Sequence, residues 1–334
     1  MDMMTAARSG PDAETLWDAV VIGGGAAGLS AGVVLARARF ATLVADGGAP
    51  RNGPAGHIRG YLTRDGMAPA AFVAAGREEL ARYGGTLAPA SVTDARHAPD
   101  GTFALRLDDG RALRARSLLV ATGLTDELPG IPGLSERWAS EVHHCPHCHG
   151  YEVRGRAVAM IGNPVAAASS VRLAALLRRY SPSVAFCVNG VEVGPDERRR
   201  LTAFGVRLVE GRVTRVVSPV GAAGGDPVAI EVDSGGTVTC EAVFVAPRPL
   251  PHDALLTALG AGRDAASGLV AVDGQGATDV PGVWAAGNVV SPRAQVVAAA
   301  GAGSTAAIGM ASWLLERELV AAVSGGPHRA GGAL

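Results

Sequence analysis

The sequence predicts an α/β protein with two Rossmann-like dinucleotide-binding domains, each a three-layer unit around a parallel sheet. Three observations predict it. Short apolar runs alternate with longer helix-like runs along the chain, the pattern of sheets covered by helices on both faces. A glycine fingerprint stands between the first strand-like run and the first helix-like run. A second strand–turn–helix run, "RGRAVAMIGNPVAAASS", begins at Arg154.

The first unit is the most explicit. Residues 18–46 read "DAVVIGGGAAGLSAGVVLARARFATLVAD". An apolar run, Ala19 to Ile22, leads into Gly23-x-Gly25-x-x-Gly28, an Ala-rich helical stretch and a second apolar run ending at Asp46. Gly23 makes the tight turn, Gly25 lets the backbone approach a pyrophosphate, and Gly28 lets helix pack on strand. The backbone N–H groups around Ala26 and Ala27 are then free for phosphate at the helix N-terminus. Asp46 lies 18 residues after Gly28, where an acid takes the adenosine ribose hydroxyls. The fingerprint follows a strand, opens a helix and has its acid, so a ligand-free glycine turn is the weaker reading. It does not by itself separate FAD from NAD.

Composition bounds the partners. The chain has 334 residues, 48% of them hydrophobic, and a formal net charge of −1. That is enough chain for two domains, with no electrostatic footprint for nucleic acid or an anionic membrane. All 30 basic residues are arginine, so lysine Schiff-base or lysine-base chemistry is excluded. No apolar run is expected to reach transmembrane length, and "MDMMTAARSGPDAETLW" lacks a signal-peptide core. Four cysteines in so long a chain do not make a disulfide scaffold. The expectation is a cytoplasmic protein with a disordered tail, "SGGPHRAGGAL".

The stretch "HHCPHCHG" at 143–150 holds Cys145 and Cys148 with His143, His144, His147 and His149 around them. Two thiolates and two imidazoles can make a tetrahedral zinc site. These histidines crowd too close to the cysteines for many sets to converge on one ion, and no distant Cys/His cluster supplies a second pair. A structural disulfide is disfavoured because cytosolic disulfides are usually redox-active. A redox pair is the favoured reading and no metal is expected. Cys187 and Cys240 lie in apolar strand-like runs and are expected to be buried and inert. His57 is a candidate lining residue of a cleft, not a catalytic one.

Two further segments carry a resemblance. Residues 117–123 read "SLLVATG", and residues 281–288 read "PGVWAAGN", followed by a small-residue helical run from about Ala294 to Leu315. Their order resembles the flavoprotein disulfide reductases, and a C-x-x-C ahead of a second nucleotide-binding strand resembles the low-molecular-weight thioredoxin reductases. The resemblance runs from Asp18 to about Leu319. It implies an FAD domain of residues 1–126 and 247–334, and an inserted domain of residues 127–246 that carries the cysteines. It also implies that Ala121, Thr122 and Gly123 mark the exit from the FAD domain and Gly287 and Asn288 the return. The family holds the ribityl chain with an acid where this chain has Asn288, whose amide can still hydrogen-bond a hydroxyl. Ala294, Gln295 and Val296 would bring a helix N-terminus to the flavin, its dipole favouring the anionic reduced form.

The inserted domain departs from an NADPH-dependent reductase. After "AVAMI" stands "GNPVAAASS", with Pro164 in place of the second glycine. Proline suits a first helical turn but removes an N–H and adds bulk where a pyrophosphate approaches. The next strand ends at Asn189-Gly190-Val191, without the arginines that clamp a 2′-phosphate until Arg198–Arg200 in the next helix. NADPH binding is not expected.

The set "RN" (Arg51, Asn52), "GYLTRDG" at 60–66, "CPHCHGYEV" at 145–153 and "AAGNV" at 285–289 resembles the FAD-dependent dithiol oxidases of gliotoxin, holomycin and romidepsin biosynthesis. That resemblance implies an enzyme that closes an intramolecular disulfide in a small dithiol and passes the electrons through FAD to O2, giving H2O2. It implies FAD contacts at Arg51 and Asn52, attack by substrate thiolate at Cys145, and Cys148 as the flavin-facing cysteine. Thiolates are the attacking species, so a base is needed. Reductase relatives carry an Asp directly after the second cysteine; His149 stands there, with His144 as its competitor. A homodimer is expected by analogy. Two rivals share the residues: a protein-disulfide reductase fed by a donor other than NADPH, and a non-enzymatic metal- or redox-sensing module.

Overall fold

The computed structural model describes residues 15–218 and 227–324. The N-terminal stretch up to residue 14 and the tail from residue 325, on which the leader and disorder expectations fall, lie outside the described residues. The chain divides into two compact units. One comprises residues up to Gly53, Ala70–Thr125 and residues from Pro251; the other comprises Pro54–Pro69 and Asp126–Leu250. Residues 54–69 therefore cluster with the inserted segment rather than with the sequence on either side of them.

In the first unit, β1 (Leu16–Ile22) feeds α1 (Ala26–Arg37) and β2 (Thr42–Ala45). Then come α2 (Pro69–Arg82), β3 (Thr86–Ala88), β4 (Val92–His97), β5 (Phe103–Leu107) and β6 (Ala112–Val120). After the insertion the unit resumes with α6 (Ala254–Ala258), β17 (Val283–Ala285) and α7 (Val296–Val323). The sheet runs β3-β2-β1-β6-β5-β4, and β17 also pairs with β6. β6 divides its length: Ala112–Ala115 pair antiparallel with β5, and Leu118–Val120 pair parallel with β17. The sheet is therefore not wholly parallel, because short returns allow β4, β5 and β6 to pair as antiparallel neighbours, whereas parallel strands need long crossovers.

Alternation along β1 makes the three layers. Val20 and Ile22 join one apolar cluster, and Ala19 and Val21 join another with α1 and α7. A strand buried on both faces reads as a continuous apolar run, which is what residues 19–22 show. α7 runs to Val323, about two turns past the Leu315 expected from the sequence. No glycine or proline interrupts the chain between Met310 and Ser324, so nothing stops the helix earlier. Contrary to the expectation from sequence, α7 is long and apolar enough to cross a membrane by length and composition, because its many small residues hide a continuous run. It serves here as a core helix, with Ala299, Ala306, Met310 and Leu314 buried.

The second unit begins along β7 (Leu124–Glu127), which pairs with β16 (Arg248–Pro251) where the chain leaves and re-enters the first unit. It continues with β8 (Val142–His143), α3 (Pro146–His149), β9 (Ala157–Ile161), α4 (Ala167–Leu177), β10 (Ser183–Cys187), α5 (Pro195–Ala203) and β11 (Val206–Val209). β12 (Val213–Val217), β13 (Val228–Val232), β14 (Thr237–Cys240) and β15 (Ala242–Val245) complete it. A parallel sheet of order β11-β10-β9-β15-β8 carries one apolar layer on each face, and β12-β13-β14 add an antiparallel sheet. The fold is thus α/β, with two Rossmann-like units and the second inserted into the first.

Candidate active site

The first unit builds a dinucleotide cradle at the C-terminal end of β1. Gly23 has φ +106°, and a Cβ there would lie 2.5 Å from the Ala121 carbonyl oxygen. A Cβ on Gly28 would lie 1.8 Å from the Gly23 carbonyl oxygen, so only glycine lets α1 close on its own turn. Around Gly25 the space is open, with nothing within 4 Å of a Cβ. Gly25 is also the N-cap of α1, and no side chain caps it. The first N–H groups of the helix, near Ala26 and Ala27, are left for a ligand.

Asp46 ends β2 and is held by three donors. Its Oδ1 accepts from the Gly24 N–H at 3.2 Å and the Gly48 N–H at 3.1 Å. Its Oδ2 pairs with Arg77 of α2 at 2.6 Å. These bonds aim the carboxylate at the glycine turn. Arg77 is not legible as a site residue, because nothing in its helix marks it as the partner of a carboxylate 31 residues away.

The turn Ala121-Thr122-Gly123 follows β6 and is pinned by His252, also absent from the sequence reading. The Thr122 hydroxyl donates to the His252 carbonyl at 2.7 Å, and the His252 N–H donates to the Gly123 carbonyl at 3.0 Å. Gly287 has φ +77° and leads into the turn that carries Asn288. The Asn288 Nδ2 donates to the carbonyls of Ser291 and Ala294, and Arg51 donates from Nη1 to the Pro292 carbonyl at 2.9 Å. Gln295 is the N-cap of α7, and Val296 is its first residue, again with no side-chain cap. A Cβ on Gly303 of α7 would lie 1.9 Å from the Ala27 carbonyl oxygen, which explains the small residues of this helix by close packing on α1. Open space at Gly25 and two uncapped helix N-termini make a donor set that fits a flavin dinucleotide. Asn52 is half-buried beside Arg51.

The second unit builds a cysteine centre. β8 delivers His143, and Pro146 opens the short helix α3 with Cys145 as its extended N-cap. The helical turn places Cys145 and Cys148 with Cα atoms 5.2 Å apart, joined as a disulfide. The N–H groups of Cys148 and His149 both donate to the Cys145 carbonyl at 3.0 Å. His143 and His149 stack face to face, with centroids 4.4 Å apart, and Phe244 tilts against His143 at 5.6 Å. His144 stacks instead on Trp138 at 5.5 Å, so the two candidate bases face different neighbours. His147 is exposed. Among the described residues, no three His, Cys, Asp or Glu side chains form a group able to hold a metal ion.

Burial sets the protonation of this cluster. It drives the His143 imidazole down to about 3, helped by the nearby His149 and His144. His149 is also lowered from its ordinary value, chiefly by burial. The Glu152 carboxylate and the Cys145 carbonyl pull it back up, and Arg59 pushes it down again. Glu152 and Arg59 pair with each other at 2.9 Å. His149 is therefore a neutral imidazole at neutral pH, able to accept a proton. His57 is exposed. Cys187 and Cys240 are buried, and burial pushes both thiols up to about 12.

The second nucleotide loop is closed on itself. Pro164 opens a 3-10 turn ahead of α4, and Asn163 Oδ1 accepts from the Val165 N–H, filling the place of a phosphate acceptor. The Asn163 Nδ2 donates to the Ala246 carbonyl at 2.8 Å. Asn189, buried and at φ +50°, donates to the Gly162 carbonyl at 2.9 Å and accepts from the Val213 N–H at 2.9 Å. Beyond it lies a cleft of about 750 Å³ lined by Glu192, Arg198, Glu210, Arg212 and Asp233 among others. Three acids oppose two arginines there, and Arg198 is paired with Glu210.

Comparison with known proteins agrees with this architecture. The family model for pyridine nucleotide-disulphide oxidoreductases matches residues 17–303. Thioredoxin reductase aclD of Aspergillus oryzae is 32% identical over 67% of this chain and 73% of its own. Thioredoxin reductase sirT of Leptosphaeria maculans is 28% identical over 89% of this chain and 94% of its own. The crystal structure of HlmI superposes with a TM-score of 0.88 at 45% identity, covering 95% of this chain and 98% of that one. With its paired cysteines and its dinucleotide cradle, the chain belongs to the pyridine nucleotide-disulphide oxidoreductase family, as a thioredoxin-reductase-like flavin thiol/disulfide oxidoreductase.

Proposed function

We propose that this protein is an FAD-dependent dithiol oxidase that closes an intramolecular disulfide in a small-molecule dithiol and delivers the electrons to O2, giving H2O2. Residues 1–126 and 247–334 act as the FAD domain, and residues 127–246 as an inserted domain that keeps a nucleotide-binding fold without a nucleotide. Activity is assigned to the cytoplasm and to a homodimer, on a small molecule rather than nucleic acid or a membrane.

The observation that carries this reading is Asn189. Its side chain occupies both the Gly162 carbonyl and the Val213 N–H, at the strand end where a reductase would grip NADPH. In the cleft beyond it three acids offset two arginines, and Arg198 is already paired with Glu210, so the lining lacks the arginine clamp that a 2′-phosphate needs. A redox disulfide without an NADPH supply draws its electrons from a thiol substrate.

The cradle at Gly23, Gly25, Gly28 and Asp46, with Asn288 and the α7 N-terminus, would hold the FAD. Bound there, FAD would supply a two-electron acceptor for the reduced cysteine pair and a donor to O2. The other steps belong to the chain. His149 accepts the proton of a substrate thiol. The thiolate attacks Cys145, the Cys145–Cys148 bond breaks, and Cys148 leaves as the thiolate. The second substrate thiolate attacks the substrate sulfur of the mixed disulfide and releases Cys145. The substrate dithiol is thereby oxidised to a disulfide and the enzyme disulfide reduced to two thiolates, with the two substrate protons passed to His149, His144 or solvent.

The test is anaerobic mixing of the yellow holoprotein, followed at about 450 nm. Dithiothreitol, a small dithiol, should bleach the flavin, and air should restore it with one H2O2 per disulfide formed. NADPH at micromolar concentration should leave the flavin oxidised. Rapid bleaching by NADPH would overturn the assignment in favour of a reductase.

A further inference from the structure

Asn288 does not present its side chain as a simple replacement for an acid. Its Nδ2 lies 3.0 Å from the Ser291 carbonyl, 2.9 Å from the Ala294 carbonyl and 3.4 Å from the Pro292 carbonyl. Three carbonyl oxygens around one atom can be satisfied only by a donor, so this contact fixes the amide orientation. Oδ1 is the atom left for any other partner. The Pro292 carbonyl also accepts from Arg51 at 2.9 Å. Residues 291–294 are thus held by two donors, the neighbouring Asn288 and Arg51 from a distant part of the first unit. They end at Gln295, the N-cap of α7, which has no side-chain cap of its own. The place of that helix N-terminus is decided by the loop before it.

We infer that Asn288 is a positioning residue: its amide nitrogen, with Arg51, locks the loop that presents the α7 N-terminus to the flavin, a task a carboxylate at this position cannot perform. The inference rests on the reading that the first unit holds FAD. A carboxylate would turn oxygen lone pairs toward three carbonyl oxygens with no hydrogen between them. The loop would have to open, and α7 would lose its fixed approach. Its dipole would then stabilise an anionic reduced flavin less well.

Asn288→Asp keeps the shape and an acceptor oxygen but replaces the NH2 donor with a charged oxygen, and Arg51→Met removes a donor without adding a negative charge. Purified holoprotein is diluted, and flavin release is followed by its fluorescence. The flavin midpoint potential and backbone amide exchange are measured on the same samples. The variant should hold FAD about tenfold less tightly, the scale of leaving buried polar groups unpaired. Its flavin potential should fall, and amides 294–297 should exchange faster while those of the α1 interior, Ser30–Leu35, stay protected. Arg51→Met removes the second donor and should speed exchange at the same amides, which keeps the test available should Asn288→Asp be unstable. An Asn288→Asp protein that keeps FAD as tightly as wild type, at an unchanged potential, would show that Asn288 acts through its oxygen alone and overturn the inference. Wild-type protein that takes up no FAD would overturn the FAD reading itself and this inference with it.

Discussion

The imidazoles of His143 and His149 lie face to face, with centroids 4.4 Å apart and planes 16° apart. Both Nδ1 atoms are buried without a hydrogen-bond partner. Two cations cannot share this stack, so its geometry excludes double protonation, and burial disfavours charge on either ring.

A first prediction concerns stability in acid. The folded pKa of His143 is depressed to about 3, against about 6.5 in an unfolded chain. Between those values the unfolded chain binds a proton that the folded chain refuses. Stability is therefore full above about pH 6.5 and is lost as pH falls, by about 1.4 kcal/mol per pH unit, until about pH 3. His143→Phe keeps an aromatic face against His149 and Phe244 but cannot take that proton. Urea unfolding at pH 7, 6 and 5 should show a shallower pH dependence in the variant. Parallel profiles would mean that His143 is not the group refusing the proton.

The second concerns His149 as base. Thiols near pKa 8.5 are only a few per cent ionised at pH 7, and a positioned base contributes about 10² to 10⁴ in rate. His149→Ala should keep FAD and fold normally, yet oxidise a dithiol slower by that factor at pH 7, with part of the loss recovered at higher pH. Near-full activity at pH 7 would pass the role to His144.

The surroundings of His149 sharpen that test. Glu152 raises its pKa and Arg59 lowers it, while a base acts only in its neutral form. Arg59→Met should move the acid limb of the pH–rate profile to higher pH, and Glu152→Gln should move it lower. Both limbs staying in place would rule out His149 as the titrating group.

The cysteines should separate by role. Cys145→Ser leaves Cys148 as a free thiolate, and its spectrum should gain a broad long-wavelength charge-transfer band with the flavin. Cys148→Ser should be inactive and lack that band. The band in Cys148→Ser alone would reverse the order of attack. Cys187 and Cys240, buried and pushed up to about 12, should stay unlabelled by thiol reagents until the protein unfolds.

Gly28→Ala tests the cradle. The new methyl would fall 1.8 Å from a backbone oxygen that cannot rotate away. α1 must shift, at about 1–3 kcal/mol, and flavin should be lost from the purified protein. Full flavin occupancy would show that the turn tolerates a side chain.

The sequence by itself determined the parts that depend on a few adjacent residues. Gly23, Gly25 and Gly28 are demanded by sterics within one turn, and Cys145 and Cys148 are brought together by one turn of helix. β1 and β9 read as buried strands because apolar continuity is a local property. Tertiary structure decided which distant groups meet. Arg51 reaches a carbonyl 241 residues away, and Thr122 reaches one 130 residues away. Asn163, unremarked in the sequence beside Pro164, and Asn189, visible there only as a missing arginine, prove to be bonded into the second loop. Asn288, an apparent stand-in for an acid, proves to be a donor. His143, first of four histidines with no mark to distinguish it, becomes the floor beneath His149. Each of these contacts is set by the register of strands and the seating of helices, which no local pattern encodes, and the direction of a single amide group follows from whichever carbonyls that register places around it.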